Sequence, residues 1–163
     1  MQALARRGLE LLLCVALCFL AAMIGRGLSM GEPGEWYAAL RKPWFNPPNW
    51  VFAPVWTALY AAMGVSLWLV WQKRREYSVR GALVWFGVQL ALNASWPGLF
   101  FGLRNPGIAF TGILLLWLAI GVTLLRFSKL SKMAAWLLAP YWAWVSFASL
   151  LNLALWQMNQ ASR

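Results

Sequence analysis

Three sets of side chains repeat at helical spacing and carry the rings and amides that chemistry could use. Phe52, Trp56, Tyr60, Met63 and Leu67 follow one another at steps of four, four, three and four. Gln89, Asn93, Trp96 and Phe100 form a second set, and Tyr141, Trp144, Ala148 and Asn152 a third. On helices each set falls on one face. Faces that mix aromatic rings with a few amides and a phenol suit non-covalent binding of a flat, apolar molecule. Indole faces cover a planar π-system, and a recessed indole N–H offers it a single donor. Trp56 and Trp144 are the strongest candidates, with core packing as the competing reading.

The residues that are missing exclude most other chemistry. The chain has no His and no Asp, and its acids are Glu10, Glu32, Glu35 and Glu76. There is no Ser-His-Asp triad, no His-ligated haem, no His/Asp metal cage and no pair of catalytic aspartates. No metal site and no required cofactor is expected. Cys14 and Cys18 lie four apart in an apolar stretch and read as small hydrophobes, which says nothing about redox compartment.

The elements that must position these side chains follow from composition. Hydrophobic residues make up 62% of 163 positions and charged residues 11%, too much apolar surface for water to be the solvent. Apolar runs near 8–28, 48–71, 80–102, 106–126 and 133–157 have the length that crosses hydrocarbon as a helix. They lack period-two alternation, so helices are expected rather than a barrel. The fold class expected is an all-α membrane protein. It is a single five-transmembrane-helix bundle over 1–163, with a lid loop at 29–46. Arg6-Arg7 before Leu11 to Ile24 also resembles a secretory signal, but the run is long for a signal core and a retained helix is the reading adopted.

The basic excess, 14 Lys and Arg, sits at the ends of apolar runs and reads as membrane topology rather than nucleic-acid binding. Nine basic residues (Arg6, Arg7, Lys73, Arg74, Arg75, Arg80, Arg126, Lys129, Lys132) fall on one side and five (Arg26, Arg41, Lys42, Arg104, Arg163) on the other. In a bacterial cell membrane that bias places the N-terminus in the cytoplasm.

Between the first two spans, Gly31, Pro33 and Gly34 are expected to end the first helix. Asn46 is expected to cap the second, with Pro47 at its first position. Its prolines stiffen the segment, which favours an ordered lid over simple interfacial anchoring. Gln89, Asn93 and Asn152 are expected to point inward because polar groups in hydrocarbon face the bundle interior. For Asn152, interhelical hydrogen bonding and ligand contact stand as equal alternatives. Trp68, Trp71, Trp136 and Trp156 lie near span ends and read as an interfacial belt. Opposite the ring-bearing face of the third span, Ala91, Ser95, Gly98 and Gly102 form a small-residue face expected to make a homodimer contact. Pro97 is expected to bend that helix.

These residues also carry a family resemblance. Trp36-Tyr37, Leu40-x-Lys42-Pro43, Pro47-Pro48-x-Trp50-Val51-Phe52-x-Pro54-Val55-Trp56, Leu59-Tyr60 and Met63-Gly64 closely resemble the first-loop and second-helix signature of the TspO/MBR family. That family comprises the translocator proteins and tryptophan-rich sensory proteins. Gln89 to Asn93, Trp96-Pro97, Phe100-Phe101-Gly102, Pro140-Tyr141, Trp144 and Leu151-Asn152 match its third and fifth helices. The resemblance runs from about residue 8 to 157. It implies a usually dimeric five-helix protein that binds protoporphyrin IX, haem and related tetrapyrroles, and in some members sterols or synthetic ligands. It further implies that Trp50, Phe52, Tyr60, Asn93 and Ala148 line the pocket and Trp44 sits on the lid. In some bacterial relatives the tryptophans matching Trp56 and Trp144 are implicated in light-dependent porphyrin breakdown. Three departures stand out. Leu153 and Gln157 replace the aromatic and basic residues of a sterol motif, Phe45 stands where Trp is common, and Ile108 stands where Trp often begins the fourth helix.

Three functions are compatible with these observations: a tetrapyrrole receptor or sensor, a transporter of tetrapyrroles or sterols, and a porphyrin-oxidising enzyme. The last has no base, metal or redox site to use, unless the bound porphyrin itself is the photosensitiser.

Overall fold

The computed structural model describes residues 2–30 and 34–160. Its elements are α1 (Gln2–Leu28), the short α2 (Glu35–Ala39), α3 (Asn49–Gln72) with a 3₁₀ turn at Lys73–Arg75, α4 (Arg80–Pro97) continuing as a π-helical turn at Gly98–Gly102, α5 (Pro106–Ser128) and α6 (Lys132–Met158). No strand occurs among the described residues. Four helices, α1, α3, α5 and α6, are long and apolar enough to cross a membrane. The remaining long helix, α4, has 18 residues and carries Arg80, Gln89 and Asn93.

Each boundary has a local cause. Asn105 caps α5, its side-chain oxygen accepting from the N–H groups of Gly107 at 3.1 Å and Ile108 at 3.2 Å, with Pro106 in the first turn where a missing N–H costs nothing. Ser131 caps α6 by accepting from Ala134 N–H at 3.3 Å. α1 ends at Leu28, and Met30 turns the chain in the left-handed region at φ 55°. Gly31 and Pro33, expected to end that helix, lie outside the described residues.

One expectation needs correction and another is extended. Asn46 is not a helix cap: α3 starts at Asn49 behind Pro48, and Asn46 instead accepts from the Tyr37 hydroxyl at 3.4 Å. Two consecutive prolines, 47 and 48, hold the chain extended past the expected start, with Pro48 at ψ 144°. Pro97 does more than bend its helix. It lacks the N–H that would bond the Asn93 carbonyl, and the ladder resumes with wider rings, Leu103 N–H reaching the Gly98 carbonyl at 2.8 Å.

α1 packs against α3 and α4, α4 against α5, α5 against α6, and α6 back against α3. The five long helices therefore close a ring in the order α1, α3, α6, α5, α4. The α1–α3 crossing is tight because Gly64 has no side chain; a Cβ there would lie 2.6 Å from the Val15 Cα. The outer face of α1 leaves Leu12, Leu13, Leu17 and Leu20 uncovered, as a lipid-facing helix does. At one end of the bundle Glu10 ties α1 to the turn after α3, receiving Arg74 at 2.7 Å and the Gln72 amide at 2.7 Å. The 34–48 segment lies across the other end. There Tyr37 is buried against Phe100 and Phe101, Phe45 packs on Phe147, and Arg41 and Asn159 exchange two hydrogen bonds of 3.0 Å. Burial raises the Tyr37 hydroxyl above its ordinary pKa, opposed in part by its bond to Asn46.

Candidate ligand-binding cavity

Inside the ring, below the 34–48 segment, is a cavity of about 650 Å³. Every long helix contributes to its wall: Ala22 and Arg26 from α1, Phe52 and Trp56 from α3, Asn93 and Trp96 from α4, Ile113 and Leu116 from α5, and Trp144 and Ala148 from α6. Its size is within the range of small-molecule sites, and its wall has their composition, mostly apolar and aromatic with a few polar groups.

Eight of the ten side chains singled out as ligand contacts meet on this wall: Phe52, Trp56, Tyr60, Asn93, Trp96, Phe100, Trp144 and Ala148. Trp44 and Trp50 do not. They are 95% and 74% exposed, Trp44 edge-on to Phe45 in the end segment and Trp50 in the first turn of α3 pointing away from the ring. The lower part of the α3 stripe also departs from expectation, since Met63 and Leu67 are buried in the helix-packing core rather than on the cavity wall.

The indoles divide by the fate of their N–H. Trp96 donates to the Ala109 carbonyl at 3.0 Å, so it offers the cavity only its ring, stacked on Phe100 at 5.1 Å. Trp56 rests against Tyr60 at 5.6 Å and Tyr141 at 6.2 Å, and Trp144 against Phe52 at 5.9 Å. Among the described residues neither Trp56 nor Trp144 has an acceptor for its N–H, so both donors stay available on the wall. Two further indoles, Trp117 and Trp142, stack on each other at 5.0 Å between α5 and α6 and serve packing. Of the expected belt, Trp71 and Trp136 are exposed, whereas Trp68 has its N–H buried with no partner among the described residues.

The polar groups form a floor. Tyr60 donates to the Asn93 carbonyl oxygen, Asn93 donates to the Tyr141 hydroxyl at 2.8 Å, and Tyr141 donates to Gln89 at 3.1 Å. This chain ties α3, α4 and α6 together. Gln89 is fully buried within it and does not reach the cavity. Asn152 lies on the wall and donates to the Pro106 carbonyl at 2.8 Å, joining α6 to α5.

The small-residue face of α4 splits in two. Ala91 and Ser95 are exposed, but Gly98 and Gly102 lie under Leu28 of α1, where a Cβ on Gly102 would be 2.7 Å from the Leu28 carbonyl oxygen. The π-helical turn rotates these glycines towards α1, which spacing at 100° per residue did not anticipate. Sequence reasoning missed the α1 and α5 contributions, because Ala22, Ile113 and Leu116 are ordinary apolar residues. Arg26 and Ser29 at least carried a signal, being polar residues near the end of an apolar run.

A sequence profile of the TspO/MBR family matches residues 14–157. The chain belongs to that family. Similar members include the "Tryptophan-rich protein TspO" of Chlorobaculum tepidum, 42% identical over 93% of this chain and 96% of that protein. The "Translocator protein" of Ovis aries is 43% identical over 86% of this chain and 84% of its own. The "Tryptophan-rich sensory protein" of Cereibacter sphaeroides is 36% identical over 78% and 79%. With four helices suited to crossing a bilayer, this family member is a multi-pass integral membrane protein.

Proposed function

We propose that this chain is a membrane receptor or sensor for flat hydrophobic ligands, tetrapyrroles such as protoporphyrin IX and haem foremost, and that it regulates their level. The observation that carries the reading is the cavity between Trp56 and Trp144, a space of about 650 Å³ walled by rings and apolar side chains. The names of its relatives, a sensory protein and translocator proteins, accord with a ligand-responsive role. The wall offers no imidazole, thiolate or thioether, and its phenols, Tyr37 and Tyr60, are bonded to Asn46 and Asn93, so haem would be held as metal-free porphyrin is, by ring contact rather than by its iron.

The same reading has all five long helices crossing the bilayer, α4 shielded at its polar positions by the Gln89–Asn93 network, with the N-terminus in the cytoplasm of a bacterial cell and two copies paired. It extends to light-driven loss of the bound porphyrin. The porphyrin is itself the photosensitiser, and Trp56 and Trp144 are the indoles beside it.

Saturable quenching of tryptophan fluorescence by protoporphyrin IX in detergent tests the binding. The expected result is saturation, weakened in the Trp56→Phe, Trp144→Phe double variant; linear quenching without saturation removes the reading. Under illumination the bound porphyrin should lose its Soret band faster than free porphyrin, and the double variant should slow that loss.

A further inference from the structure

Almost everything on the cavity wall is apolar, aromatic or already hydrogen-bonded, with one formal charge among it. Arg26 lines the cavity together with Ala22 and Ser29. Those three positions are separated by four and three residues, so they share one face of the chain at the end of α1, and Ser29 is buried. Arg26 is itself exposed, so it reaches the cavity from its rim, on the side of α1 that carries Ala22 and Ser29.

Among the described residues its charge has no counter-ion. Glu10 is committed to Arg6 and Arg74, and Glu76 to Lys73, both at the opposite end of the bundle. Glu35 is on α2, not on the cavity wall, and Glu32 lies outside the described residues. The other described cations at this end are not on the cavity wall. Lys42 donates to the Ala38 carbonyl at 3.1 Å and sits over the Tyr37 ring, Arg41 is held by its backbone to Asn159, and Arg104 lines a separate small pocket with Trp36 and Trp156. An unpaired guanidinium at the mouth of an apolar cavity is a receptor for an anion, and its fork matches a carboxylate.

We propose that Arg26 anchors a carboxylate of the ligand, so that the site selects flat apolar acids over their neutral analogues. The acid lies under the 34–48 segment and the flat body between Trp56 and Trp144. This deepens, and rests on, the tetrapyrrole reading: it assigns the acidic edge of the ring to the α1 side of the mouth.

The test compares protoporphyrin IX with its dimethyl ester by fluorescence quenching of the full chain in detergent at fixed ionic strength. The native chain should bind the acid about five- to tenfold more tightly than the ester, the scale of one charge-assisted contact. Arg26→Gln should bring the acid down to the ester and leave the ester unchanged, and Arg26→Lys should keep part of the preference. Equal binding of acid and ester by the native chain, or an equal loss of both in Arg26→Gln, overturns the anchor while leaving the tetrapyrrole reading in place. Saturable quenching by neither compound removes the reading and the anchor with it. Oleate supplies a carboxylate without the flat body; Arg26-dependent displacement of the porphyrin by oleate at equal concentration would reassign the anchor to lipid.

Discussion

Asn93 holds three helices at once. Its oxygen accepts from Tyr60 on α3 and its amide donates to Tyr141 on α6, while its own backbone belongs to α4. Its place in a stripe with Trp96 made it look like a ligand contact, and it does lie on the cavity wall, but both ends of its side chain are occupied by the protein. Asn93→Leu should therefore lower stability by about 1–3 kcal/mol, because Tyr60 is left without its acceptor in a buried site. Thermal unfolding in detergent measures this, and an unchanged midpoint would reduce the network to incidental contact. Tyr60→Phe removes the donor along with the need for it and should cost less.

At the scale of the element, close approach matters more than hydrophobicity. Gly64→Val places methyl groups where the Val15 backbone already is, and should destabilise the α1–α3 pair by about 1–3 kcal/mol. Gly87→Ala on α4 meets nothing within 4 Å and should stabilise by up to about 1 kcal/mol, which shows helix propensity acting without a clash. The end segment depends on its clasp. Asn159 bonds both backbone groups of Arg41, so Asn159→Ala should speed proteolysis within 34–48 without unfolding the bundle. Equal cleavage rates would show that the aromatic contacts of Tyr37 and Phe45 suffice alone. The starts of α5 and α6 were legible from the apolar runs beginning near 106 and 133, although their caps, Asn105 and Ser131, were not read. The cap of α3 was misread and the π-helical turn was not foreseen, because tandem prolines and the Pro97 gap act through backbone geometry that a spacing rule does not contain.

For the whole molecule, the ring order leaves the outer faces of α1 and α4 uncovered. If five helices cross the bilayer, Gln2 and Gln160 lie on opposite sides. In a chain with Cys14 and Cys18 replaced by alanine, Gln2→Cys and Gln160→Cys should react with an impermeant thiol reagent from opposite faces of sealed vesicles; labelling from the same face would remove one span. Of the α4 face proposed to pair two copies, only Ala91 and Ser95 are exposed, since Gly98 and Gly102 are covered by α1. Ser95→Phe should give monomers in detergent, whereas Gly102→Phe should impair folding instead.

The sequence by itself determined the class of solvent and the kind of element: apolar runs of membrane length, no His or Asp, and rings repeated at a helical period. It also determined most of the aromatic wall, because residues at steps of three and four must share a helix face. The tertiary structure decided which of those faces meet in one cavity, since that depends on ring order and crossing distance, which leave no periodic trace. It placed Trp44 and Trp50 outside the cavity, turned Gly98 and Gly102 inward, and brought Arg26 from the end of α1 to the mouth of an apolar site. A lone charge beside rings more than twenty residues away in the chain has meaning only once the helices are assembled around it.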